Sequence, residues 1–471
     1  MSDSIYTSEK IKEIIAGQRE FFKTGKTLDV NFRIEALKKL KNAIESNVPV
    51  LEEALMLDLG RSRTEAYFSD IGSVISDINE TLKHIKQWAK PETHFSGIKA
   101  FPSITTKVYK IPYGVTLIFS PYNYPVFLSF SPLIASLAAG NTAIVKVSSK
   151  TPNCSDVIAE TLRKAFDERY VAIIKGNHDV ANILLEERFD KIFYTGSPKT
   201  AGRILLSAAK NLTPVALELG GETGNWAIIR KDADIKDAAR KIAFFKALNA
   251  GQICININQI AVAKEIADEF IEELKKAFIS QLGQNASDNS EYPHLINKAA
   301  FDKAKTIIGN YSGKLVFGGE ANKKDLKISP AVLYPVDVSD DIVQSELFSP
   351  ILPVIPYKDA EINSIIKVIE SREHPLALYI FTKDIKWAKA TLSSMQFGGG
   401  CINEVCMQMM AGGVPFNGCG HSGMGAYHGE WGFREFSHPS TVLIGKNHLN
   451  LSLREQPYSE KKYKIIKLLE K

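Results

Sequence analysis

Cysteine is scarce in this chain of 471 residues: there are five, at 154, 254, 401, 406 and 419. An odd number at wide spacing excludes the dense pairing of a secreted disulfide scaffold and points to a reducing compartment. Long apolar runs are missing too. No stretch reaches the roughly 20 apolar residues that a bilayer span needs, and the first residues, MSDSIYTSEKIKEI, turn charged before any apolar run develops. A soluble, cytoplasmic protein is expected. Blocks of like charge are absent as well: 58 basic and 53 acidic residues leave a net charge of +5 spread along the chain. That speaks against a nucleic-acid partner.

Burial capacity, by contrast, is ample. With 45% hydrophobic and 24% charged residues, the chain suits a globular fold of two or three structural units. Its first ninety residues read as helices, because Ile34, Leu37, Leu40 and Ile44, then Ile71, Ile75, Ile78, Leu82 and Ile85, recur at helical spacing up to Pro91. ITTKVYKIP (104–112) alternates enough to predict an exposed strand or arm. Between 113 and 221, the short β-branched runs GVTLIFS, NTAIVKV, YVAIIKG and KIFYTG alternate with segments of helical length, such as 125–139 before Gly140. Such alternation predicts a parallel, doubly wound α/β sheet, which binds ligands at the carboxyl ends of its strands. NWAII, NQIAVA, AVLYPV and LALYIF mark a second α/β region.

Cys254, in NAGQICININ (249–258), could be a nucleophile, a metal ligand or a small buried residue beside a glycine. A free thiol is only a few per cent thiolate at neutral pH unless a base or a positive field assists. Glu218 stands at the end of a strand-like run, PVALELGGETGNW, where Gly220 and Gly221 leave room for a ligand. That is a place for a general base, and equally for an ordinary solvated glutamate.

Taken together, ELGG (218–221) and GQIC (251–254) resemble the signature pair of the aldehyde dehydrogenase superfamily. SPYNYP (120–125), AAGNTAIVK (138–146), YTGSPKTAG (194–202), SELFSP (345–350) and PFNGCGHSGMG (415–425) follow in the family's order, so that the likeness covers nearly the whole chain. FKTGKT, NLTPVALELGG, PLALYIF and SGMGAYHG are most similar to the class 3 and fatty-aldehyde branch. The resemblance implies NAD(P)-dependent oxidation of an aldehyde to a carboxylic acid. Cys254 would attack the carbonyl, the Asn123 side-chain amide and the Cys254 backbone N–H would hold the resulting oxyanion, and Glu218 would activate the water that hydrolyses a thioester. It also implies a Rossmann-type cofactor domain (1–92 and 112–220) and a catalytic α/β domain (221–428). A β arm for oligomerisation (93–111 and 429–447) and a tail (448–471) complete the chain. A homodimer without a membrane anchor is expected.

Cofactor residues follow from the same likeness. Thr195, Gly196 and Ser197 line the step from strand KIFYTG into a helix whose N-terminus would face a pyrophosphate. Lys146 would bond the adenine ribose, and Glu346 and Phe348 would hold the nicotinamide ribose and ring. Where NAD-preferring relatives carry a glutamate, this chain has Ser149 followed by Lys150, which favours or tolerates NADP on electrostatic grounds. No metal is expected. Tyr124, Met407 and Met410 are expected to wall an adaptable apolar pocket for medium-chain aliphatic or aromatic aldehydes.

The chain departs from the family pattern at Ala201, Glu222, Gly224, Asn256-Ile257-Asn258, Ser349 and Asn417. Glu222 would put a like charge near Glu218 and raise its pKa, and the 256–258 run would report on the substrate pocket. Three rivals stand beside the main reading. A coenzyme-A-acylating enzyme shares the thioester; a thiol hydrolase would pair Cys254 with His421, His428 or His438; a zinc site could be drawn from Cys401, Cys406, Cys419 and His421.

Overall fold

A computed structural model describes residues 6–97, 104–446, 453 and 455–469. Two sheets dominate it. The first runs in the order Gly423–Met424, Val215–Leu219, Lys191–Gly196, Val115–Phe119, Thr142–Lys146, Val171–Ile174. All pairings are parallel except that of the short edge strand Gly423–Met424. The four runs read as strands between 113 and 196 form four of these, and they are buried on both faces, as parallel sheets with helical crossovers require.

The second sheet has the order Leu315–Phe317, Ala331–Leu333, Ile351–Tyr357, Ile257–Ala263, Asn225–Ile229, Ala377–Phe381, Gly399–Ile402. It too is parallel apart from its first edge strand. Ile351–Tyr357 and Gly399–Ile402 escaped the sequence reading, because Pro353 and Pro356 break the first and two glycines open the second. The glycine-rich stretch GMGAYHG contributes a short strand as well, since its first two residues, Gly423–Met424, pair with Glu218 and Leu217.

Helix Phe127–Ala139 is buried along its whole length and ends at Gly140, whose φ of 101° suits a residue without a Cβ. It belongs to a core cluster that also holds Ile118 and Val145 of the first sheet and Ile229 and Ile260 of the second. Helix Ser8–Lys23, capped by the Thr7 side chain, covers the far face of the first sheet with Ile11, Ile14 and Ile15. Glu92–His94, Ile104–Pro112 and Ser437–Gly445 form a separate antiparallel sheet. Residues 98–103 and 447 of the expected arm lie outside the described residues, as do the first residues of the tail. Glu460–Leu469 is a short charged helix. Among the described residues, no helix is long and apolar enough to cross a membrane.

Candidate active site

The carboxyl ends of the first sheet's strands open on a cavity of about 410 Å³. Asn123, Glu218 and Cys254 line it together, and so do Lys146, Ser149, Thr195, Gly196, Ser197, Glu346 and Phe348. Residues far apart in sequence therefore share one space, as ligand sites at strand ends require.

Cys254 sits just before strand Ile257–Ala263, on a turn that is strained by design. Asn249, Ala250 and Gly251 have φ of 49°, 49° and 76°. At Gly251 a Cβ would stand 2.6 Å from the backbone carbon of Ser349, so glycine is required. The turn is held by amides: Gln252 Nε2 donates to the carbonyls of Asn249 and His294, both at 3.0 Å, and Asn225 Nδ2 donates to that of Cys254 at 2.8 Å. Asn123 Nδ2 spends one N–H on the Gln252 carbonyl at 3.1 Å. Its second N–H is left to offer the cavity.

Electrostatics in this space favour neutral forms. Burial, with Glu346 and Glu218 adding to it, pushes the Cys254 thiol up to about 12, although the N–H groups of Ile255 and of Cys254 itself partly oppose this. Glu218 is buried, and both of its carboxyl oxygens lack a partner among the described residues. Its pKa lies well above the usual carboxylate range, from burial first and then from the charge of Glu435. Expected as the perturbing acid, Glu222 is instead exposed and paired with His421 at 3.3 Å.

The other end of the cavity fits a dinucleotide. Ser197 caps helix Pro198–Asn211, whose free N–H groups carry a partial positive charge. A Cβ at Gly196 would collide with the Tyr194 ring, which keeps that step open. Thr195 Oγ1 is buried without a partner among the described residues, as an oxygen awaiting a ligand would be. Lys146 Nζ reaches the Gly176 carbonyl at 2.6 Å, and burial brings its pKa down to about 8. Ser149 and Lys150 are exposed at the rim. Neither Ala201 nor Gly202 lines the space.

Residues 4–442 match the family model described as aldehyde dehydrogenase family. A 4,4'-diaponeurosporen-aldehyde dehydrogenase of Staphylococcus aureus is 36% identical over 97% of this chain and 98% of its own length. The dimeric NADP-preferring aldehyde dehydrogenase of Rattus norvegicus is 33% identical over 95% and 97%. Among solved structures, the substrate-bound state of Staphylococcus aureus AldH matches with a TM-score of 0.94 at 35% identity, covering 98% of this chain and 99% of that one.

The chain belongs to the aldehyde dehydrogenase family. It is an oxidoreductase acting on aldehydes, with NAD or NADP as the family's cofactor. Its likeness to class 3 members extends over the whole fold.

Two expectations about this aldehyde dehydrogenase need correction. Tyr124 and Met410 wall a second, smaller cavity with Ile253 and Ile255, but Met407 lines neither space, and Met409 stands where it was expected. Asn258 does not face substrate: its Oδ1 accepts from Leu347 N–H at 2.7 Å and its Nδ2 donates to the Ser345 carbonyl at 3.2 Å, so it fixes the loop carrying Glu346. Gly224 belongs to the same adjustment, since a Cβ there would be 2.5 Å from that of Asn258. The zinc set does not converge among the described residues. Cys401 donates to Gln408 at 2.9 Å, and His421 lies between Glu222 and Glu373. As for the hydrolase reading, His428 is packed among Phe127, Phe416 and Tyr427, and His438 lies against Tyr113. Arg61, Asn249 and Gln252 were missed altogether, because nothing in their local sequence separates a buried hydrogen-bonding group from a surface one.

Proposed function

We propose that Cys254 is the nucleophile, that Asn123 and the Cys254 N–H hold the oxyanion, and that Glu218 is the general base. The observation that carries this reading is the convergence of Cys254, Asn123 and Glu218 on one cavity with Glu346 and Phe348. The thiol proton passes through the Glu218 carboxylate to bulk water as the S–C bond forms on the aldehyde carbon, giving a thiohemiacetal oxyanion that accepts from the second Asn123 N–H. One such donor is worth about 10²- to 10³-fold in rate. The chemistry that NAD or NADP supplies when bound is acceptance of the aldehyde hydrogen as hydride. Glu218 then takes a proton from the water that attacks the thioester on Cys254, and the carboxylic acid leaves as the thiol is restored. A carboxyl group at this point supports water, rather than coenzyme A, as the acceptor.

Lys146, Thr195, Gly196, Ser197, Glu346 and Phe348 would hold the dinucleotide. Lys146, Lys150 and Arg203 line the same cavity as Ser149, and those positive charges support acceptance of NADP. An apolar aldehyde, aliphatic or aromatic, is the substrate of this reading, supported by the apolar side chains of Phe68, Tyr124, Phe245, Ile253 and Met410 gathered beside the Cys254 turn. A cytoplasmic homodimer joined through the arm sheet completes the reading.

Purified protein mixed with NAD or NADP and a panel of aldehydes, followed by nicotinamide absorbance, tests it. Reduction with at least one apolar aldehyde, lost in Cys254→Ala, is expected. Full activity in that variant overturns the mechanism.

A further inference from the structure

Arg61 is fully buried, yet the reaction as derived gives it no part. It follows Gly60, whose φ of 68° ends helix Val48–Leu59 and turns the chain inward. Each edge of its guanidinium is used. Nε donates to Asn249 Oδ1 at 3.2 Å, Nη1 to Asp70 Oδ2 at 2.9 Å, and Nη2 to the backbone carbonyl of Asn123. The guanidinium also lies over the Tyr124 ring, 4.2 Å from its centroid.

Its two acidic neighbours extend the same grip. Glu65 lies 3.7 Å from Arg61 Nε and accepts the Asn249 backbone N–H at 2.8 Å. Asp70 accepts the Phe127 backbone N–H through its other oxygen. The widened helical turn Tyr67–Ile71 lets residues five apart reach one guanidinium. Asn249 closes the ring, donating from Nδ2 to the carbonyls of Asn123 and Gln252, both at 3.0 Å. One side chain thus joins the segment carrying the Asn123 amide to the turn carrying Cys254.

We propose that Arg61 is a positioning residue that sets the distance between the Asn123 amide and Cys254, and so builds the oxyanion site from behind. This rests on the oxyanion reading of Asn123 above. An apolar side chain could fill the same volume, and burying a charge among acids is costly. Only a planar fork of donors, however, can fix a carbonyl on one segment and an amide oxygen on the other at once.

A double-mutant cycle tests it, with cofactor-free hydrolysis of 4-nitrophenyl acetate at Cys254 and aldehyde oxidation as parallel readouts. Arg61→Met should lower kcat in both assays by roughly 30-fold or more, with KM within about 3-fold, whereas in an Asn123→Ala background it should cost under about 3-fold. Fluorescence titration with NADPH should give an unchanged Kd. Equal losses in both backgrounds would mean a general structural role and overturn the proposal, as would a full kcat in Arg61→Met. Full activity in Asn123→Ala alone would overturn the oxyanion reading first, and the proposal with it. Arg61→Lys, which keeps the charge but not the fork, carries the same cycle if Arg61→Met does not fold; its recovery of full kcat would also overturn the proposal.

Discussion

Gly220 lies with its α-carbon against the carboxyl group of Glu346: a Cβ added there would stand 2.7 Å from Glu346 Cδ. Glu346 cannot step back, because Asn258 bonds the residues on both sides of it. Gly220→Ala should therefore displace the group proposed to hold the nicotinamide ribose. We expect a loss of about 10- to 100-fold in kcat and a raised KM for the cofactor, against a small change in Tm. Steady-state kinetics with varied cofactor and thermal denaturation measure the two.

Cys254 and Glu218 both favour their neutral forms at rest, the thiol at about 12 and the carboxyl well above its usual range. The reactive thiolate and carboxylate fractions thus grow as pH rises, and kcat/KM should climb from pH 6 to pH 9 without a plateau near neutrality. Glu218→Gln should lower the steady-state rate by about 10²- to 10⁴-fold, leaving a burst of reduced cofactor that stopped-flow absorbance can record. Unchanged thioester turnover in that variant would sink the general-base assignment.

The sheet strands were legible because a parallel strand buried on both faces must be a continuous apolar run, as in Val115–Phe119 and Ala377–Phe381. Pro353 and Pro356 hid Ile351–Tyr357 because apolar periodicity treats proline as a breaker, although the strand tolerates both. Site residues were legible in another way. Cys254 and Glu218 stood out only through the ordered set of motifs around them, since thiol and acid alone admit bland roles. Arg61 was not legible at all: its burial is decided by Asp70, Asn123 and Asn249, and no local pattern brings those together.

Ser149 and Lys150 stand at the rim of the cavity, and Lys150 Nζ lies 4.9 Å from the centre of the Tyr122 ring. A carboxylate at 149 would face the ribose 2′ position and repel a phosphate there. Ser149→Glu should shift the ratio of kcat/KM for NADP over NAD by about 10- to 100-fold toward NAD. Kinetics with both cofactors at constant ionic strength read this directly. An unchanged ratio would separate the 149 position from cofactor choice.

His428 is buried among aromatic rings, its Nε2 has no partner among the described residues, and burial lowers its pKa to about 4. The folded chain therefore holds the neutral ring, while an unfolded histidine titrates near 6.5. Its stabilising contribution is complete above about pH 6.5 and is lost as pH falls toward 4, by up to about 3 kcal/mol. Asp77 lines the same small cavity, and burial raises its pKa to about 6, which has the opposite sign because its protonated form is the favoured one. The comparison must isolate the ring. His428→Gln should be less sensitive than the parent to acidification between pH 6.5 and 4.5, as measured by urea denaturation.

Strand Ser437–Gly445 pairs along one edge with Ile104–Pro112 and presents Val442, Leu443 and Ile444 to solvent, 43%, 54% and 46% exposed. Three consecutive apolar residues on a strand with a free edge among the described residues invite association. A second copy of the chain is the proposed occupant. Leu443→Glu together with Ile444→Lys should then halve the mass measured by light scattering after size exclusion, from twice the 52.1 kDa of the chain to a single copy. Since the arm lies apart from the cavity lining, the monomer should keep cofactor binding, which an NADPH titration can check. An unchanged dimer mass in this variant would place the subunit contact elsewhere.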